Sequence, residues 1–296
     1  MSRYKGDAMR IAIASGKGGT GKTTVATNLA TVASRNGRSV AYLDCDVEEP
    51  NGHIFLKPRI TDTRPVGNLV PAVDEGKCTH CGLCAEICQY GAIACLGRMV
   101  LVYPELCHAC GGCGLVCPAD AIAETFREIG RLETGRAGPI RFVRGLLNVG
   151  EPMSPPVIKA VKAAAPEADV VIADAPPGTS CPVIESVRGA DFVLLVTEPT
   201  PFGFHDLKLA VQMVDALGLP CGVVINRATL DGHQMRSYCA ARRIPILEEI
   251  PDDRRLAEAY SRGELACEAL PEYDSKFLRL LETVAEQITR DGEAAG

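Results

Sequence analysis

SGKGGTGKTT, residues 15–24, decides how the rest of the chain is read. Gly16 to Thr23 fits G-x-x-x-x-G-K-[ST]. A short apolar run, MRIAIAS at 9–15, comes before it. After it comes a segment in which Val25, Leu29, Val32 and Ala33 share a helical face. Strand, glycine-rich loop and helix in that order make a phosphate cradle. The glycines let successive N–H groups turn inward, and the helix amino end adds partial positive charge. Lys22 then bridges the outer phosphates and the Thr23 hydroxyl takes Mg²⁺. One lysine near the end of the loop satisfies that chemistry. Lys17, near its beginning, is surplus to it.

Outward from the loop, Asn36-Gly37 closes the helix and SVAYLD (39–44) reads as a second strand. Further buried strands are DVVIAD (169–174), DFVLLVT (191–197), CGVVIN (221–226) and IPILEEI (244–250). Helices lie between them, and a last one covers about 274–290. FREIGRLETGRAGPIRFVRG (126–145) resembles a hairpin. Apolar strands alternating with helices predict an α/β fold with a mostly parallel sheet covered on both faces. From Glu48 to about Ala72 the pattern weakens, and Gly52, Pro58, Pro65 and Gly67 mark loops. A cysteine-rich block then interrupts the alternation. The expected organisation is 1–71 and 126–296 as one nucleotide-binding domain, with 72–125 inserted.

Two acidic positions complete the phosphate site. Asp174 ends a buried strand in ADAPPGTS, where a carboxylate can hold Mg²⁺ through water. Asp44 and Asp46 close the second strand in LDCDVEEPN, on the same side by strand alternation, with Cys45 opposite. Asp46 is the candidate for orienting the attacking water and for the metal shell; the competing role for either aspartate is to cap a loop.

The inserted block is a duplication. CTHCGLCAEICQYGAI (78–93) and CHACGGCGLVCPADAI (107–122) match cysteine for cysteine at an offset of 29. Each run reads C-x2-C-x2-C-x3-C, the bacterial ferredoxin spacing, in which the fourth cysteine serves the other cluster. Two [4Fe–4S] clusters are expected. Cys78, Cys81, Cys84 and Cys117 would hold the first, and Cys107, Cys110, Cys113 and Cys88 the second. Zinc is the rival metal, although zinc sites rarely use three cysteines at two-residue spacing. Gln89 stands where proline often follows the fourth cysteine. His80 and His108 read as loop residues, and Cys45, Cys95, Cys221, Cys239 and Cys267 as small packing groups. Cys181 directly follows DAPPGTS, where either a redox or a structural role is open.

With its early lysine, SGKGGTGKTT resembles the deviant Walker A loop of the MinD/ParA/Mrp superfamily of ATPases, and LDCDVEEPN and DAPPGTS resemble its two switch regions. The likeness covers nearly all of 9–290 outside the cysteine block. It implies that Gly16, Lys17, Gly18, Gly19, Thr20, Gly21, Lys22, Thr23 and Thr24 contact ATP. It implies as well that Lys17 reaches the partner's nucleotide in an ATP-sandwich homodimer. VVINR (223–227) and EIPDD (249–253) resemble adenine-contacting segments, so Asn226 would bond the base edge, flanked by Pro251 and Asp252. The whole chain is similar to superfamily members that carry an inserted ferredoxin domain, and TEPTPFGFHDL (197–207) resembles a segment of that subgroup. The paired C-terminal cysteines of Mrp-type cluster carriers are not visible: Cys239 and Cys267 stand alone.

Three functions fit such a chain. ATP could gate electron transfer from the clusters to a redox partner. It could instead control delivery of a cluster or metallocofactor to an acceptor protein. Or the chain could be a positioning ATPase, which needs a membrane-binding tail or a basic DNA face. The net charge of −6 argues against nucleic acid as the main partner. FLRLLETVAEQITR (277–290) is amphipathic with little positive charge and reads as a packing helix. No apolar run is long enough to span a membrane, and MSRYKGDAMR lacks the apolar core of a secretory signal. Those features, with metal-type cysteine spacing, predict a cytoplasmic protein.

Overall fold

The computed structural model describes residues 8–228 and 232–295; the segment MSRYKGD, on which the reading of a missing secretory signal partly rests, lies outside them. The first elements are β1 (Met9–Ala14), α1 (Lys22–Arg35), β2 (Val40–Asp44), α2 (Gly52–Leu56) and β3 (Arg59–Val73). The cysteine-rich stretch holds α3 (Leu83–Ile87), β4 (Ile93–Leu96), β5 (Met99–Val102) and α4 (Gly112–Leu115). Then come β6 (Ile122–Ala137), β7 (Ile140–Leu147), α5 (Pro155–Ala163), β8 (Val170–Asp174), α6 (Cys181–Val187) and β9 (Phe192–Thr197). The chain closes with α7 (Pro201–Ala216), β10 (Cys221–Ala228), α8 (His233–Arg242), β11 (Ile246–Pro251), α9 (Arg254–Ser261), α10 (Ala266–Ala269) and α11 (Pro271–Ala295).

Among the described residues one sheet runs in the order β11-β10-β9-β1-β8-β2-β7-β6-β3. Neighbours are parallel from β11 to β7, and β6 and β3 are antiparallel additions. Alternation along β1 builds both cores. Ile11 and Ile13 pack with Leu29 of α1 and Leu280 of α11, whereas Ala12 and Ala14 pack with Val161 of α5 and Val211 of α7. A parallel sheet covered on both faces explains why its strands are apolar throughout. The amphipathic C-terminal segment is a packing helix, as expected. Phe277, Leu280, Leu281 and Val284 of α11 are buried, each contributing about 1.5–3 kcal/mol of apolar burial.

Helix α1 ends as its sequence predicts. Gly37 has φ 77°, its N–H bonds to Ser34 O, and Arg38 N–H reaches back to Ala33 O at 3.2 Å. That pair of bonds satisfies carbonyls which would otherwise be orphaned at the helix end.

The stretch 48–72 differs from expectation. In place of loops it contains α2 and the 15-residue strand β3. β3 pairs with β6 along its length, forming a ribbon about 50 Å long by the usual rise per residue. Residues 61–65 are exposed, so no apolar alternation records the strand. Pro65 and Pro71 are tolerated because β3 is the sheet's edge strand, with one side free of hydrogen-bonding partners. The hairpin expected at 126–145 is the β6–β7 pair. Residues 74–121, with both cysteine runs, join the two ribbon strands at their far end.

Candidate nucleotide site and cysteine centre

The glycine-rich loop leaves the carboxyl end of β1, between β8 and β9, and enters α1 at Gly21. Gly21 has φ 96°, and a Cβ there would lie 2.4 Å from Asn226 Nδ2, so both backbone and space exclude a side chain. The amino end of α7 presses on the other end of the loop, where a Cβ on Gly16 would lie 2.3 Å from the Asp206 carbonyl oxygen. Asn226 Nδ2 donates to Thr20 O at 2.8 Å. The amide nitrogen is thus committed to holding the loop, and Oδ1 is left for a ligand.

A cleft of about 360 Å³ opens over the loop, within the range of small-molecule sites. Gly18, Gly19, Gly21, Lys22, Thr23 and Thr24 line one wall, with Asp46 and Asn51 beside them. Asn226, Arg227, Pro251, Asp252, Leu256 and Tyr260 line the other. A larger hollow of about 840 Å³ lies at the opposite, amino ends of β1, β2 and β8. Ligands of open parallel sheets sit outside the carboxyl ends of the strands, which favours the smaller cleft.

Behind the loop lies a buried carboxylate cluster. Asp44 and Asp174 are paired in register at the ends of β2 and β8. Tyr42 Oη donates to Asp174 Oδ2 at 2.8 Å, and Gly52 N–H donates to Asp44 Oδ2 at 3.0 Å. Burial and the charge of Asp174 push Asp44 well above the usual carboxylate range. Burial also raises Asp174, opposed by the Thr23 hydroxyl, Lys22 and Tyr42. Of the two, Asp174 is the carboxylate that Thr23, Lys22 and Tyr42 stabilise. Asp46 is raised to about 6, first by burial and then by Asp174, against Glu49 N–H and Lys22. A carboxylate whose pKa lies near the working pH is suited to taking a proton from water. Burial lowers Lys22, and Asp174 and Asp46 oppose that shift. As alternation predicts, Cys45 lies in the opposite core from Tyr42.

Thr20 Oγ1, Asp44 Oδ1, Asn51 Oδ1 and Asp174 Oδ1 are buried without hydrogen-bond partners. Each such atom costs about 1–3 kcal/mol. Their concentration around one loop, with the hard oxygens of Thr23, Asp46 and Asp174, fits a phosphate ligand and its Mg²⁺. Tyr42 was not singled out in the sequence, although its position two residues before Asp44 put it on the same face. Tyr42→Phe should destabilise the fold by about 1–3 kcal/mol, because it strips a buried carboxylate of a donor while conserving shape. Denaturant unfolding measures it, and an unchanged midpoint would count against the hydrogen bond.

Lys17 does not stand free in this protomer. Its Nζ lies 3.3 Å from Glu198 Oε2, and Arg227 Nη1 lies 2.7 Å from Glu198 Oε1. Asn51, Glu198, Arg227 and Tyr260 are further residues of the site that the sequence did not mark for a role. Asn51, Glu198 and Arg227 had position as their signal, inside LDCDVEEPN, TEPTPFGFHDL and VVINR, whereas Tyr260, near the end of α9, had none.

At the far end of the ribbon the eight repeat cysteines sort into two hollows. Cys78, Cys81, Cys84 and Cys117 line one, with Val73, Val100 and Ile122. Cys88, Cys107, Cys110 and Cys113 line the other, with Leu69, Ile87 and Ile93. Both runs share one backbone shape. His80 and Ala109 have φ 54° and 53°, Gly82 and Gly111 have 83° and 71°, and Gly91 and Asp120 have 63° and 48°. Ala92 N–H bonds to Cys88 Sγ and Ala121 N–H to Cys117 Sγ, both at 3.3 Å. Left-handed residues such as His80, Ala109 and Asp120 cost about 1–3 kcal/mol each and persist where the surroundings enforce them. Cys88 is held below the ordinary thiol value: burial raises it, but the N–H groups of Tyr90, Ala92, Ile93 and Gly91 outweigh that. Among the described residues no three potential ligands converge on one point as a single metal ion requires. Tyr90 stacks on His108 at 3.7 Å beside the second hollow. Cys45, Cys239 and Cys267 are buried packing groups, and Cys181 is exposed.

The family is established by comparison. The CobQ/CobB/MinD/ParA nucleotide-binding domain matches residues 11–266, and the chain belongs to that family. An uncharacterized protein of Methanocaldococcus jannaschii is 31% identical over 87% of this chain and 91% of its own length. An iron-sulfur cluster carrier protein of the same organism is 25% identical over 93% of this chain and 84% of its own. The fold is shared with MinD of Pyrococcus horikoshii in complex with Mg-ADP. That structure has a TM-score of 0.56 and 22% identity, covering 94% of this chain and 96% of the other. No helix among the described residues is long and apolar enough to cross a membrane.

Proposed function

We propose that this chain is an ATP-hydrolysing switch that works as a nucleotide-sandwich homodimer and couples nucleotide state to electron transfer through two [4Fe–4S] clusters. In this reading the loop residues 16–24 bind the ATP phosphates, with Lys22 on the outer ones. Thr23, Asp174 and Asp46 hold Mg²⁺, and Asp46 orients the water. Asn226, Pro251 and Asp252 hold the base. Lys17 completes the site of the partner. Residues 1–71 and 126–296 form the ATPase, and 72–125 the electron-carrying insert of a cytoplasmic protein.

One observation carries the redox half: the eight cysteines separate into the two sets of four that the crossed ferredoxin pattern requires. A cubane holds one thiolate at each of four irons, so its sulfurs stay apart around a hollow. The backbone N–H groups aimed at Cys88 and Cys117 suit thiolates. When bound, such clusters store and release single electrons.

The protein supplies the coupling. Asp46 and Asn51 line the nucleotide cleft, and Gly52, whose N–H holds Asp44, begins α2. Phe55 of α2 packs against Tyr260 of the cleft wall, with ring centroids 4.9 Å apart. Two residues after α2, the chain enters β3 and runs straight to the cysteines. A shift of the switch on binding ATP is therefore passed to the ribbon through one short helix. Coupling energies of about 1–3 kcal/mol correspond to about 40–130 mV for one electron. ATP added to the reduced, anaerobic protein should shift its potential within that range at constant iron content.

A second reading, delivery of a cluster to an acceptor protein, is favoured by relatives named as iron-sulfur cluster carriers. The same titration separates the two. ATP-dependent loss of iron to an apo-acceptor, without a shift in potential, supports delivery and overturns the electron-transfer reading.

A further inference from the structure

We propose that Glu198 is a positioning residue that parks Lys17 on its own protomer, so that pairing of two protomers must draw Lys17 off this carboxylate, and that Arg227, by sharing the carboxylate, keeps that hold weak. This rests on the sandwich-dimer reading given above.

Glu198 follows β9, and its side chain is only 9% exposed. Its backbone is pinned: the carbonyl oxygen accepts the Thr200 N–H at 2.8 Å, and a Cβ on Gly203 would lie 2.3 Å from it. A charge buried to this extent needs compensation in place. It has two cations, one on each oxygen. Lys17 comes from the phosphate loop and Arg227 from the end of β10.

The two cations differ in what else they can reach. Lys17 is one-third exposed and has a flexible stem, so it can leave for another anion. Arg227 follows Asn226, has φ 50°, and lines the nucleotide cleft itself. Arg227 takes up part of the Glu198 charge, so Lys17 is held less firmly than it would be by a carboxylate with no second cation. Parking on Glu198 and reaching the phosphates of the partner are alternatives for one lysine, so the Glu198 carboxylate opposes self-association and Arg227 moderates that opposition.

The test is the self-association of the full-length protein, followed by sedimentation with a non-hydrolysable ATP analogue at saturation. Glu198→Gln keeps the shape and removes the charge. Dimerisation with the analogue should tighten by about five- to tenfold, the worth of one partly exposed ion pair. Glu198→Asp retains the charge and should stay near the parent. Arg227→Ala provides a check with the opposite sign. Glu198 then has Lys17 as its sole cation and grips it harder, so dimerisation at saturating analogue weakens. If Glu198→Gln fails to fold, this arm alone still decides. Parent-like association of Glu198→Gln, or tightening in Arg227→Ala, overturns the proposal. The sandwich reading fails separately, if the parent protein stays monomeric with the analogue.

Discussion

Lys17→Ala is expected to slow ATP hydrolysis by about 10³–10⁵-fold, the range spanned by cationic fingers on transferring phosphoryl groups. ATP binding to an isolated protomer should change by only a few fold, because the cleft that takes the nucleotide is lined by Lys22, Thr23, Thr24, Asn226 and Pro251 and not by Lys17. The physical reason is the difference between ground and transition state. Charge that develops on the oxygens during transfer is stabilised only by a cation aimed at them at that moment. Lys17 in a lone protomer is aimed at Glu198 instead. Single-turnover hydrolysis measures the rate, and equilibrium binding of a fluorescent nucleotide checks the affinity. Mixing then identifies the donor. A Lys17→Ala protomer can bind ATP but lacks the finger, and a Lys22→Ala protomer has the finger but a crippled cradle. If the lysine works across the interface, the mixture recovers part of the activity that each variant lacks. If it works within its own chain, the mixture stays as inactive as its components.

The residues legible in the sequence were those whose spacing is fixed by chemistry within one local segment. The loop from Gly16 to Thr24 could be read because strand, turn and helix must follow one another there. The carboxylates Asp46 and Asp174 could be read because Asp174 ends a buried apolar strand and Asp46 stands two residues past the end of another. The duplicated cysteine runs could be read as a repeat because three cysteines recur at two-residue spacing within one short segment. What escaped depends on contacts between distant segments. β3 is held by pairing with β6, not by an apolar pattern of its own, and its exposed residues 61–65 resemble a loop in composition. Tyr42 looks like any aromatic core residue until the hydroxyl is seen on Asp174. Glu198 joins a loop lysine to a strand-end arginine, and neither partner is near it in the chain.

The pairing of cysteines between the two runs makes the second strong prediction, because it sets which double substitutions add. Reconstituted under anaerobic conditions, the protein should carry about eight iron and eight sulfide per chain, two cubanes' worth. Cys88→Ala and Cys107→Ala should each remove about half of that iron, since both thiols line one hollow. Combined, they should remove no more than either alone, because the second change falls on a site already lost. Cys78→Ala with Cys117→Ala should behave in the same way, through the other hollow. Cys78→Ala with Cys88→Ala, two residues of a single run, should instead remove nearly all the iron. Sites confined to one run each would reverse the pattern: the pair from a single run would then be no worse than one change, and the pairs drawn from both runs would strip both sites. Iron and sulfide analysis reads the outcome. Retained nucleotide binding in each variant shows that the loss belongs to the thiols and not to the fold, since the cleft over Gly21 and the cysteine hollows share no lining residue.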